Sequence, residues 1–123
     1  MNVLCDTNPL IYLLGEVEPY SEVVSDILDG NQVWISFITE LELFGKTGLS
    51  DNEVHSINEM VEQCFIADLN SEIKLHTKRL MQQNSVKLAD AIIASTSLYL
   101  DFPLITADKN FAKLQDLNLI LIE

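Results

Sequence analysis

Residues 1–14 read Met1-Asn2-Val3-Leu4-Cys5-Asp6-Thr7-Asn8-Pro9-Leu10-Ile11-Tyr12-Leu13-Leu14. Residues 2–5 have the apolar character of a short buried strand. Pro9 lacks an N–H, suits the first turn of a helix, and leaves Thr7 or Asn8 as its N-cap. Asp6 stands at the junction. A charge in apolar surroundings is strongly disfavoured unless it is paired, hydrogen-bonded or bound to a cation. Either Asp6 merely turns strand into helix, or it belongs to a site.

Working outward, the same alternation recurs. A helix is expected over 20–29, stopped by Gly30 and Asn31, and then a strand over 32–36 (QVWIS). Thr39 opens a short helix to about Lys46, closed near Gly48. Ser50-Asp51-Asn52-Glu53 has capping-box spacing and starts a helix to about Gln63. Strand 64–67 (CFIA) and a helix over 71–83 follow. A helix from about Lys87 to Tyr99 is apolar almost all round and therefore belongs inside. Strands at 103–106 and 118–122 flank a short helix at 109–114. Short apolar strands separated by helices indicate a parallel sheet covered on both faces, a three-layer α/β/α domain. Sites in such sheets form at the carboxyl ends of the strands.

The chain has 123 residues, 48% apolar and 21% charged, and is expected to be one domain spanning 1–123. No apolar run reaches the roughly 18–20 residues of a membrane span. The first residues have no basic lead and no small-residue cleavage site, so the expected location is cytoplasmic. Cys5 and Cys64, without a CxxC or Cys/His cluster, read as free thiols in a reducing compartment. Seven Lys and Arg stand against 19 Asp and Glu, a formal net charge of −12. That balance argues against general coating of nucleic acid. A polyanionic substrate needs a bridging cation or a partner chain, and a basic protein is the easier match.

Four acids interrupt apolar sequence. Asp6 follows the first strand. Glu40 and Glu42 lie in the first turns of the helix after the second strand, about 200° apart, so only one faces a given site. Thr39-x-x-Glu42 is itself a capping-box spacing, which offers Glu42 a purely structural role. Asp90 opens the buried helix, where only Lys87 is a local partner and the helix dipole gives it a bland reason to be there. Asp108 ends the strand Pro103-Leu104-Ile105-Thr106 and doubles as a candidate N-cap. A parallel sheet brings such positions to one edge. Carboxylates about 4 Å apart repel by roughly 1 kcal/mol in water and about 4 kcal/mol at an effective dielectric of 20. An all-carboxylate cluster selects hard Mg²⁺ or Mn²⁺. Asp68, at the end of CFIA, is a further acid at a strand end. There is no GxxxxGK, HExxH or GxSxG.

At these residues the chain resembles the PIN-domain ribonucleases, and within them the VapC-type toxins of toxin–antitoxin modules. "LCDTNPLIYLL" is similar to the family's opening strand and its Asp-Thr-Asn-like turn. "ISFITELEL" resembles the lead into the acidic helix, in a register that selects Glu42 over Glu40. "KLADAIIASTSL" places Asp90 in the acid position, and "LITADKNF" places Asp108; where many relatives carry a further Asp, this chain has Asn110. The resemblance implies Mg²⁺- or Mn²⁺-dependent endoribonuclease activity, an antitoxin partner and a homodimer. Asp6 and Asp90 would hold the principal ion, Asp108 completing the shell directly or through water. Glu42 would orient or deprotonate the attacking water or help hold a second ion. Asn8 and Thr106 would hydrogen-bond around them. Lys46, Lys87 and Lys109 are the nearest candidates by sequence to guide a substrate.

Two other readings stand beside this one. A phosphohydrolase using Asp6 as a covalent nucleophile, as in haloacid-dehalogenase-like enzymes, wants a second Asp where this chain has Asn8. A catalytically weak or inactive PIN-like protein-binding module is the other, kept open by the scarcity of Lys and Arg. Tyr12, Leu13, Leu14 and Trp34 are expected to pack in the core rather than form a partner surface.

Overall fold

The computed structural model describes residues 1–122. Five strands, β1 (Asn2–Cys5), β2 (Gln32–Ser36), β3 (Phe65–Ala67), β4 (Leu104–Thr106) and β5 (Leu119–Leu121), form one parallel sheet in the order β3-β2-β1-β4-β5. Leu4 lies opposite both Trp34 and Leu104, so β1 is the central strand. The helices are α1 (Thr7–Leu14), α2 (Tyr20–Asp29), α3 (Phe37–Leu43), α4 (Asp51–Glu62), α5 (Ser71–Gln83) and α6 (Leu88–Leu100). A 3₁₀ helix, Lys109–Lys113, joins β4 to β5.

Alternation along each strand divides the interior into two layers. Val3, Cys5, Ile35 and Ile105 point into one cluster with Leu10, Val24, Leu43 and Ile57. Leu4 and Leu104 point into the other with Leu80, Ile93, Ala94, Phe111 and Leu114. The period of two along a strand produces that division. Helices α1–α4 therefore cover one face, while α5, α6 and the 3₁₀ helix cover the other. This is the expected three-layer α/β/α arrangement. Residues 91–97 of α6 are all buried, as an apolar helix between sheet and α5 requires. No helix among the described residues is long and apolar enough to cross a membrane.

Two helix starts differ from the sequence expectation, and both differences matter to the site. Helix α1 is capped by Asp6, not by Thr7 or Asn8: its Oδ1 accepts the Thr7 N–H at 2.8 Å. Helix α3 starts at Phe37, not Thr39, because the fully buried Ser36 Oγ accepts the Ile38 N–H at 3.2 Å. Strand β2 ends at Ser36, and its hydroxyl reaches the free N–H groups first. Thr39 is thus an interior, fully buried helical residue and makes no capping box with Glu42. The helix also ends at Leu43, three residues short of Lys46. The Ser50–Glu53 capping box forms as expected.

Tyr12 stacks on Tyr20 with ring centroids 4.9 Å apart. Trp34 stacks on Phe65 at 5.0 Å and tilts against Phe102 at 5.6 Å. Leu13 and Leu14 pack half-buried on the first cluster. All four are half-buried, and Leu14 also lines a surface groove between α1, α3 and α4.

Candidate active site

The chain runs outward from β1 through β2 to β3, then crosses back to β4 on the other side of β1. That reversal opens a crevice beyond the carboxyl ends of β1 and β4, where ligands bind in open parallel sheets. Asp6 and Asp108 follow those two strands.

Asp6 is 5% exposed. Its backbone N–H donates to Ile105 O at 2.9 Å, fixing it to β4. Its Oδ1 accepts the Thr7 N–H, and its Oδ2 accepts the Thr106 hydroxyl at 2.7 Å. The same Thr106 oxygen accepts the Asp108 N–H at 3.0 Å. One threonine thereby ties the two strand ends together. Asp108 in turn accepts the Asn110 N–H at 2.9 Å, which starts the 3₁₀ helix.

Glu42 comes from the far side. It is on α3, and the Thr7 hydroxyl donates to its Oε1 at 2.6 Å, while Thr7 Oγ1 also lies 3.1 Å from the Thr39 hydroxyl. Asp90 sits in the first turn of α6, half-buried, with Lys87 as the helix's N-cap.

Electrostatics show that these groups share one region. Burial pushes Asp6 up from 3.8 to about 6; the Thr106 and Thr7 hydrogen bonds pull the other way, and the charges of Asp90 and Glu42 raise it further. Asp90 is also raised, first by burial and then by Asp108 and Glu42, with Lys87 and Lys113 opposing. Mutual repulsion is thus built into the folded state.

All the donors are hard carboxylate oxygens, which fits a divalent cation such as Mg²⁺ or Mn²⁺. The repulsion is what such a cation would relieve. Among the described residues, however, no three Asp, Glu, His or Cys side chains are gathered as a ready-made metal-ligand group. The donor chemistry fits the ion, while the side chains stand in an open arrangement.

The remaining candidates are placed as follows. Asn8 is exposed, and none of the described hydrogen bonds joins it to the acids. Asp68 is exposed at the end of the edge strand β3, and its charge does not figure in the shifts of Asp6 or Asp90. Lys46 lines a groove on the α1–α3–α4 side, whereas Lys87 lines the recess that holds Asp90 and Asp108. His55 is exposed and pairs with Glu59 at 2.9 Å; His76 is half-buried on α5. Both cysteines are free, and burial pushes both thiols up.

Sequence reasoning missed Thr7 as the holder of Glu42, having assigned it to a cap. It also missed Lys113, which donates to the Ser85 carbonyl beside Asp90. A lysine five residues beyond Asp108 was the available signal, but only the 3₁₀ turn carries it back.

The chain belongs to the PIN domain family, whose model matches residues 3–117. Among solved structures it is similar to VapBC-1 from nontypeable Haemophilus influenzae, with 30% identity, 98% of each chain covered and a TM-score of 0.77. A toxin–antitoxin complex from Klebsiella pneumoniae matches at 26% identity and TM-score 0.76, covering 96% of this chain and 95% of that one. VapBC2 from Rickettsia felis, bound to a promoter DNA fragment, superimposes with TM-score 0.80 over 100% of both chains; at 17% identity it shows the fold alone. No curated protein matches. The resemblance to VapC-type PIN domains carried by the four motifs is the one these comparisons return.

Proposed function

We propose that this PIN domain is a Mg²⁺- or Mn²⁺-dependent endoribonuclease and the toxin of a toxin–antitoxin pair. The observation that carries the reading is the Thr106 bridge between Asp6 and the Asp108 backbone at the reversal of strand order, with Glu42 and Asp90 near enough for their charges to act on Asp6.

In this reading Asp6 and Asp90 would hold the cation, with Asp108 completing its shell directly or through water, and the ion would supply charge neutralisation of the phosphate and acidification of water. Thr106 fixes Asp6 Oδ2 and the Asp108 backbone, so the two strand ends present their acids in register. Thr7 occupies Glu42 Oε1, which leaves Oε2 to orient a water and accept its proton. The water oxygen bonds to phosphorus as the bond from phosphorus to the leaving sugar oxygen breaks; the leaving oxygen takes a proton from solvent water and Glu42 returns its own to solvent, which gives a terminal phosphate and a sugar hydroxyl.

In this reading an antitoxin would sit beside Glu42. A groove of about 420 Å³ beside Glu42 is lined by Ile11, Leu14, Leu43, Leu49 and Ile57. An amphipathic partner segment would bury its apolar face there, and an arginine from it would reach the acids as a bidentate pair. The similarity to VapBC-1 and to a toxin–antitoxin complex supports an antitoxin partner. A cytoplasmic homodimer is part of the same proposal.

The test is digestion of a mixed cellular RNA pool by the purified protein with Mn²⁺ or Mg²⁺, alongside EDTA and Asp90→Asn. Cleavage abolished by both supports the nuclease. Cleavage surviving Asp90→Asn overturns the site. A partner-binding module without catalysis is the second reading, favoured by the open spacing of the acids among the described residues; metal binding without cleavage of any RNA would select it.

A further inference from the structure

In a chain of net charge −12, three of the seven Lys and Arg residues line two adjoining recesses on one side of the acids. The first recess, about 360 Å³, is walled by Lys87, Lys113, Asp90 and Asp108. The second, about 320 Å³, contains Arg79, His76, Gln83, Asn84 and Gln115 over Leu80 and Leu98, with Asp116 at its edge. Lys113 borders both. We propose that these recesses are the track of a single-stranded RNA substrate, leading from the acids past Lys87 and Lys113 to a base-binding recess at Arg79.

This inference rests on the nuclease reading and gives that site a direction. Ammonium and guanidinium groups neutralise phosphates, and in so acidic a protein their position determines where a polyanion can lie. The chemistry changes along the track. Next to the acids two ammonium groups, Lys87 and Lys113, share the wall with Asp90 and Asp108, and they are the groups there that can meet a phosphate. Farther out, three amide side chains and His76 share the lining with Leu80 and Leu98, and the amides and imidazole offer donors and acceptors to a base edge.

Helix α5 directs its charges unequally. Its buried face carries Ile73, Thr77 and Leu80. At about 100° per residue, Arg79 and His76 fall on one flank of that face and Lys74 and Lys78 on the other. Lys74 is therefore a control on the same helix. Lys46 lies in the α1–α3–α4 groove, away from the track.

The experiment is fluorescence anisotropy of a fluorescein-labelled, mixed-sequence RNA of about twelve nucleotides, titrated with the full chain in Ca²⁺ over a range of salt. Lys87→Gln, Lys113→Gln and Arg79→Gln are each expected to weaken binding by roughly threefold to tenfold. Each should lower the slope of log affinity on log salt by about 0.7, while Lys74→Gln leaves both unchanged. Because Lys113 also holds the Ser85 carbonyl, Lys113→Arg should restore binding; if Lys113→Gln does not fold, Lys87 and Arg79 carry the test. Wild-type affinity in all three variants, an equal loss in Lys74→Gln, or no RNA binding by the wild type overturns the proposal. So does a charge effect seen with polyglutamate but not with RNA, which would give the face to an acidic protein segment. Mn²⁺-dependent cleavage of the same RNA is read in parallel. Cleavage with no charge effect removes the track alone, and the charge effect with no cleavage removes the nuclease reading alone.

Discussion

At the scale of single residues, Asp6 is the strained element. Its carboxyl is raised from 3.8 to about 6 by burial and by neighbouring charge, so between those values the folded state holds a proton that the unfolded state has released. Folding stability must then fall as pH rises through that window and level off above it. At about 1.4 kcal/mol per pH unit, the loss is at most on the order of 3 kcal/mol. Urea unfolding of the metal-free protein at pH 4 and pH 7 should show this component, and Asp6→Asn should remove it and raise Tm at pH 7 by several degrees. An unaltered pH profile in Asp6→Asn would contradict the assignment. Thr106→Val acts oppositely: it strips the hydroxyl from Asp6 Oδ2 and orphans the Asp108 N–H. The descending limb should move to higher pH, and Mn²⁺ affinity at pH 7, measured calorimetrically, should drop.

At the scale of elements, helix ends carry measurable increments. Ser50 closes a reciprocal cap on α4, its Oγ accepting the Glu53 N–H and its N–H donating to Glu53 Oε1, both at 3.1 Å. Ser50→Ala should cost about 1 kcal/mol in chemical unfolding and leave any RNA cleavage unchanged, since α4 bears none of the four acids. At the other end of the core helix, Asp101 terminates α6 in the left-handed region at φ 56°. Asp101→Gly should stabilise the fold by a few tenths to about 1 kcal/mol, because glycine takes that conformation without a Cβ conflict. A decrease in Tm would show that the Asp101 side chain contributes more than its backbone costs.

At the scale of the whole molecule, the chain carries a net charge of −12, and two of its acids, Asp6 and Asp108, follow the strands between which the strand order reverses. A divalent cation that binds the folded chain but not the unfolded one raises stability by mass action, about 2.7 kcal/mol at a hundredfold excess over its dissociation constant. Thermal melts should therefore rise with millimolar Mn²⁺ or Mg²⁺ and return with EDTA. NaCl of equal ionic strength should do much less, and Asp6→Asn combined with Asp90→Asn should abolish the difference. Equal effects of NaCl and Mn²⁺ would reduce the acids to a screened patch.

The architecture was legible in the order of apolar runs and helical periods. Apolar tetrads and pentads such as NVLC and QVWIS can be satisfied only by burial on both faces, and the intervening helical periods leave a parallel sheet as the way to do it. The sequence also marked the four acids, because a carboxylate beside such a run is conspicuous against its surroundings. Local chemistry was read less well where two groups compete for the same job. Ser36 and Thr39 are both helix-capping residues, and only the depth at which β2 ends decided for Ser36 and freed Glu42 to meet Thr7. The pairing of Asp6 with Thr106 spans 100 residues, and Lys113 and Asp90 reach one recess from the 3₁₀ helix and from α6. No spacing encodes such contacts, because they arise when strands far apart in sequence pair side by side around β1 and bring their ends to one crevice.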